Sequence, residues 1–107
     1  VPVYEKLVRD RIPAIIEAAG KECRVSTLDE VTYSIELKKK LLEEVKEYET
    51  AVKDEEALEE LADILEVMRA LVTLHGCDME QLEEIRKKKA EQRGAFQERI
   101  FLHEVKD

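Results

Sequence analysis

The sequence predicts an all-α fold: one four-helix-bundle-like domain spanning residues 1–107 and assembled as a dimer or tetramer. Three observations carry this. Leu, Ile, Val and Ala are combined with 41% charged residues, three Gly, two Pro and no Trp, a composition that suits amphipathic helices better than a sheet. Apolar residues recur at spacings of three, four and seven, the period of a helix packed along one side. One stretch, residues 58–74, is apolar on nearly every side in its second half. A chain of 107 residues has room for one core and cannot cover such a helix alone.

The elements follow in order. Asp10 is placed to cap a short first helix that carries Ile12, Ile15, Ile16 and Ala19 on one face, with Pro13 tolerated in the first turn and Gly20 as the stop. Thr27 and Glu30 have capping-box spacing and open the longest helix, to about Lys53. Its stripe is Val31, Ile35, Leu41, Leu42, Val45, Tyr48 and Val52. Asp54, followed by Glu55 and Glu56, reads as an N-cap with acids in the first turn, where the helix dipole favours negative charge. The helix it starts carries Leu58, Leu61, Ile64, Leu65, Val67, Met68, Leu71, Val72 and Leu74 and ends at Gly76. Asp78 and Gln81 cap a fourth helix with Met79, Leu82 and Ile85, which turns basic and stops at Gly94. In the tail, Ile100, Phe101 and Leu102 form an apolar patch expected to dock on a neighbouring helix or subunit.

Charge narrows the partners. With 26 acidic against 18 basic residues and a formal charge of −8, the chain is not a general nucleic-acid or anionic-membrane binder, and cations are its natural partners. A nucleotide complexed with Mg²⁺ stays compatible, because it needs only a few local basic groups. Cys23 and Cys77 lack metal-ligand spacing and read as reduced thiols. No apolar run approaches a membrane span and no leader pattern opens the sequence, so a soluble, cytoplasmic protein is expected.

The chemistry lies in two acidic pairs. Glu44 and Glu47 are three apart on the long helix, and Glu60 and Asp63 are three apart on the next, so each pair projects from one helical face. The short connection before Asp54 makes the helices antiparallel neighbours and brings the pairs to similar heights. The line of Glu60 and Asp63 continues into Val67, Leu71 and Leu74, so these acids begin a buried face. Carboxylates there need a cation, a basic partner or a proton. Four hard oxygen ligands suit Mg²⁺ or Mn²⁺. Glu43, Glu49, Glu55, Glu56, Glu59 and Glu66 read instead as solvated surface acids.

Glu44-Val45-Lys46-Glu47 and Glu60-Leu61-Ala62-Asp63, twelve residues apart, resemble the ExxE…ExxD signature of the MazG-like all-α nucleoside triphosphate pyrophosphohydrolases. The surrounding strings LLEEVKEYE and EELADILEV are similar as well. The opening from Lys6 through Arg9, Asp10 and Arg11 to Pro13, and the closing from Lys89 through Arg93 and Gly94 to Phe96, resemble the phosphoribosyl-ATP pyrophosphohydrolase-like subgroup. The chain departs from that pattern at Ala95, where a second Gly is expected, a change in loop shape that leaves the acidic positions intact.

The resemblance implies Mg²⁺-dependent hydrolysis of a nucleotide between its α and β phosphates, of a house-cleaning kind, by a homodimer or homotetramer. It casts Glu44, Glu47, Glu60 and Asp63 as metal ligands, Glu44 or Glu47 as the group that activates water, and Lys6, Arg9, Lys89 and Arg93 as phosphate contacts. The dedicated step on phosphoribosyl-ATP in histidine biosynthesis shares this chemistry and is the alternative enzyme. A non-enzymatic acidic helical interaction module, with the carboxylates as surface decoration, is the alternative of a different class. A di-iron bundle is excluded because it requires Glu-x-x-His pairs, and the sequence contains none.

Overall fold

The computed structural model describes residues 2–107, and among these the chain is all-α, with four helices and no strand. They are α1 (Ile12–Ala18), α2 (Glu30–Thr50), α3 (Asp54–Leu74) and α4 (Met79–Arg93).

Local chemistry sets their ends. Asp10 does not cap α1. Arg11 holds the N-cap position, no side chain bonds the first turn, and the Ile12 N–H donates to the Arg9 carbonyl at 3.1 Å. Pro13 has no N–H to satisfy, so the turn needs one acceptor fewer. Asp29 rather than Thr27 caps α2, accepting the Thr32 N–H at 2.8 Å. That bond holds the Asp29 carboxyl below its usual range. Asp54 is the first residue of α3 rather than its cap, and with Glu55 and Glu56 it fills the dipole-favoured first turn. The expected box on α4 is complete: Asp78 accepts from the Gln81 N–H at 2.8 Å and Gln81 Oε1 accepts from the Asp78 N–H at 2.9 Å. Gly76, at φ 78, turns the chain from α3 toward α4.

The packing centres on one seam. α2 and α3 are joined by residues 51–53 and pack along each other, α3 and α4 meet over a short stretch, and α1 packs on none of the other helices. Leu37 on α2 (3% exposed) and Val67 on α3 (9%) are the buried hydrophobic residues of the seam. Leu28, Glu30 and Tyr33 share an open groove with Ala70, Thr73 and Leu74 at the end far from the connection, so the pair is antiparallel.

A single chain does not close a four-helix bundle. Its radius of gyration is 18.3 Å, against about 13 Å for a compact domain of this length. It exposes 10239 Å² at 12.4 kDa, where compact monomers of that mass expose about 6,100 Å². Leu58, Leu61 and Leu65 of α3 are exposed, so the helix expected to be covered from several directions is covered along its length by α2 and only over a short stretch by α4. The tail patch of Ile100, Phe101 and Leu102 is likewise exposed and does not dock on this chain's helices.

The exposed apolar residues are nonetheless ordered on one side. At roughly 100° per residue, Val31, Ile35, Leu42 and Val45 lie about 80–160° round α2 from Leu37, and Leu58, Leu61 and Leu65 lie about 120–180° round α3 from Val67, in the same rotational sense. In an antiparallel pair, turns of the same sense bring both stripes to one side of the hairpin. Glu47 and Asp63 turn in the opposite sense, to the other side.

Replacing Asp78 with Ala removes one half of the α4 box. It should lower stability by about 1 kcal/mol, read as a lower midpoint in thermal circular dichroism at fixed protein concentration. An unchanged midpoint would show that α4 is not held by this cap.

Candidate metal centre

The α2–α3 seam carries acid where the rest of it carries aliphatic side chains. Glu44 lies two turns along α2 from Leu37 and is buried, at 6% exposure. Glu47, one turn further on, is exposed, and Glu60 reaches in from α3 half-buried. Each of the three offers a carboxylate oxygen within 4.8 Å of the others, a cluster of glutamates capable of coordinating a divalent cation. A Mg²⁺–oxygen bond of about 2.1 Å puts octahedral ligands about 3 to 4 Å apart. Small rotations of three flexible side chains supply the difference.

The electrostatics make this cluster costly as it stands. Oε2 of Glu44 and Oε2 of Glu60 are buried acceptors with no hydrogen-bond donor, and unmet buried polar atoms are expensive. Lys40, one turn before Glu44, lies 3.5 Å from Glu44 Oε1 and 3.7 Å from Glu43, so it compensates one oxygen of Glu44 and leaves the other. Burial raises the Glu44 carboxyl above its ordinary value, aided by the charge of Glu47 and opposed by Lys40. Glu60 is pushed up to about 7, first by desolvation in the seam and then by Glu47 and Glu44. The triad therefore holds a proton near neutral pH, in the place where a divalent cation would offset most of the charge of the three groups.

Of the four sequence-predicted ligands, the structure brings Glu44, Glu47 and Glu60 together. Asp63, one turn beyond Glu60, is held elsewhere: Arg9 Nη2 donates to its Oδ1 at 2.6 Å. Arg9, expected as a phosphate contact, is thus engaged by an expected ligand. Lys6 lies over the Tyr4 ring, 5.6 Å from its centroid. Lys89 and Arg93 are exposed on α4 and form no ion pair with the triad. Lys40 belongs to the edge of the site as well: the sequence offers Lys38 to Lys40 as partners of neighbouring Glu, and the spacing of four before Glu44 is the signal that singles out Lys40.

His75 ends α3 as its C-cap, and His103 stacks edge-on against Phe101 at 5.1 Å; neither joins the cluster. Cys23 and Cys77 are free, exposed thiols.

The raised Glu60 pKa has a definite sign. A carboxyl that titrates near 7 in the fold and near 4.5 when unfolded stabilises the metal-free protein fully below about pH 4.5 and loses that contribution as pH rises through 7. The metal-free melting temperature should fall between pH 5 and 8. Added Mg²⁺ should raise it, more strongly at pH 8 than at pH 6, with proton release in calorimetry. Glu60→Gln should abolish the Mg²⁺ effect; retention of the full effect would contradict the site.

In comparisons with known proteins, no family model, no curated protein and no solved structure matches this chain.

Proposed function

We propose that the chain is a Mg²⁺-dependent nucleotide pyrophosphohydrolase, cleaving a nucleoside triphosphate or related nucleotide at the α–β phosphate bond to a monophosphate and pyrophosphate. The observation that carries the reading is the buried, unpartnered Glu44 Oε2 converging with Glu47 and Glu60. A structural role does not need an orphaned carboxylate oxygen beside two further acids; a cation site does. The nucleotide rests on the likeness of the two acidic pairs and both end motifs to the MazG-like enzymes.

Glu44, Glu47 and Glu60 would hold the ion, with Asp63 as a fourth oxygen donor one turn from Glu60. When bound, the ion supplies charge neutralisation of the phosphate oxygens and a more acidic water. The protein's carboxylates then divide the work by burial. Glu44 is enclosed and steadied by Lys40, which suits holding rather than proton exchange. Glu47 is exposed beside it, so its carboxylate is the one placed to accept a proton from the attacking water. Attack on phosphorus opens the α–β anhydride, and the leaving pyrophosphate carries away the bond's electron pair. Of the basic groups proposed to contact phosphate, Lys6, Lys89 and Arg93 form no ion pair with an acid among the described residues, whereas Arg9 is engaged by Asp63.

Assembly belongs to the same reading. The ~4,000 Å² of surface in excess of a compact monomer is more than one obligate interface removes from one partner, about 1,000–2,500 Å². That supports a homodimer built on the shared apolar side of α2 and α3, and a second contact making a tetramer. Because Glu47 and Asp63 turn to the opposite side, this assembly leaves the acidic site open.

Two measurements test this. A panel of nucleotides including phosphoribosyl-ATP, assayed for Mg²⁺-dependent pyrophosphate release, should show turnover that Glu47→Gln lowers by at least about a hundredfold; a Mg²⁺-binding protein that releases no pyrophosphate from any of them would reject the enzyme. Light scattering at micromolar concentration should give at least a dimer, and Leu61→Glu with Leu65→Glu should give a folded monomer. A monomeric parent protein would contradict the assembly.

A further inference from the structure

The geometry points to a latch: residues 2–28 form an arm fastened across the acidic side of the hairpin by Arg9, and the arm is released when Asp63 leaves Arg9 to complete a cation site with Glu44, Glu47 and Glu60. The inference rests on the metal reading above and adds a conformational consequence to it.

Among the described residues, the Arg9–Asp63 pair is the one hydrogen bond or ion pair that ties residues 2–28 to the rest of the chain. α1 packs on no other helix. The arm's polar hold on the hairpin therefore passes through a single carboxylate, with Leu28 beside Ala70 and Leu74 in the open groove where the arm joins α2, and that carboxylate lies one helical turn from Glu60 on the same face of α3. The pair is short, at 2.6 Å, yet its side chains are 57% and 37% exposed. Such an exposed pair is weak and exchangeable, unlike a buried one, whose separation would strand a charge.

Asp63 thus has two competing partners, the arm's guanidinium and a divalent ion at the triad. Competition for one ligand is reciprocal: an engaged arm weakens cation binding by the same factor that a bound cation loosens the arm. For an exposed ion pair that factor is about two- to fivefold. Release also frees Arg9, the guanidinium that the opening string casts as a phosphate contact, after the ion is in place.

The native cysteines provide the readout. Cys23 lies on the arm and Cys77 between α3 and α4, and both are exposed. With spin labels on both and the labelled protein diluted into unlabelled protein, pulsed dipolar spectroscopy reads the intrachain distance, and Mg²⁺ is diamagnetic. The expected result is a distribution dominated by one narrow component without Mg²⁺, which is lost at saturating Mg²⁺. Arg9→Gln should be broad throughout and bind Mg²⁺ two- to fivefold more tightly in calorimetry. If Mg²⁺ binds calorimetrically while the wild-type distribution is unchanged, or if metal-free wild type is already as broad as Arg9→Gln, the latch is wrong and the metal site stands. If calorimetry detects no Mg²⁺ binding, the metal reading fails and the latch with it.

Discussion

Three carboxylates meeting in the α2–α3 seam are the constraint around which the rest of this molecule is arranged. Helix packing would fill that position with an aliphatic side chain, as it does at Leu37 and Val67. Instead Glu44 is enclosed, Glu60 leans in from the facing helix, and Glu47 closes the cluster at the surface. Like charges at this separation in a partly dry seam repel, so the protein answers in three ways. Lys40 neutralises one edge of Glu44. Glu60 keeps a proton to about pH 7. Arg9 draws Asp63 aside, so that a fourth negative charge does not join the other three. A proton on Glu60 can serve the facing Glu44 but leaves the remaining acceptors of the cluster unmet. A hard divalent cation satisfies them together.

The same hairpin leaves apolar surface uncovered in the single chain. Two helices pressed along one seam bury one stripe of each, and here both helices carry a second apolar stripe that turns to a common side. Glu47 and Asp63 turn to the other side, so the hairpin is two-faced: one face apolar and one acidic. In the proposed assembly this division would let an interface and a charged, hydrated site coexist in a short chain. Mixed on one face, the carboxylates would be desolvated by the partner at a cost that association would have to overcome.

Much of this was legible in the sequence, where local rules govern. The four helices, the Asp78–Gln81 box and the Gly76 stop depend on neighbours within a few residues, and paired spacing, the buried line on α3 and the family resemblance together pointed to Glu44, Glu47 and Glu60, with Asp63 beside them. What escaped depends on competition or distance. Thr27 and Asp29 both offer caps to one helix start, and the Asp29 carboxylate takes it because it sits three residues before the Thr32 N–H. Asp63 shares its spacing with a ligand pair, but its partner Arg9 is 54 residues away, beyond any local pattern. The apolarity of residues 58–74 announced that a surface must be covered and could not say by what: α2 covers one stripe, and Leu58, Leu61 and Leu65 remain exposed in the single chain.

The central claim, that Glu44, Glu47 and Glu60 form a divalent-cation site, is tested most directly by crystals grown with Mn²⁺ and an anomalous difference map collected near the manganese edge. The account predicts a peak within bonding distance, about 2.2 Å, of one carboxylate oxygen from each of the three residues. A map with manganese bound elsewhere and only water or a shared proton among these oxygens would contradict it.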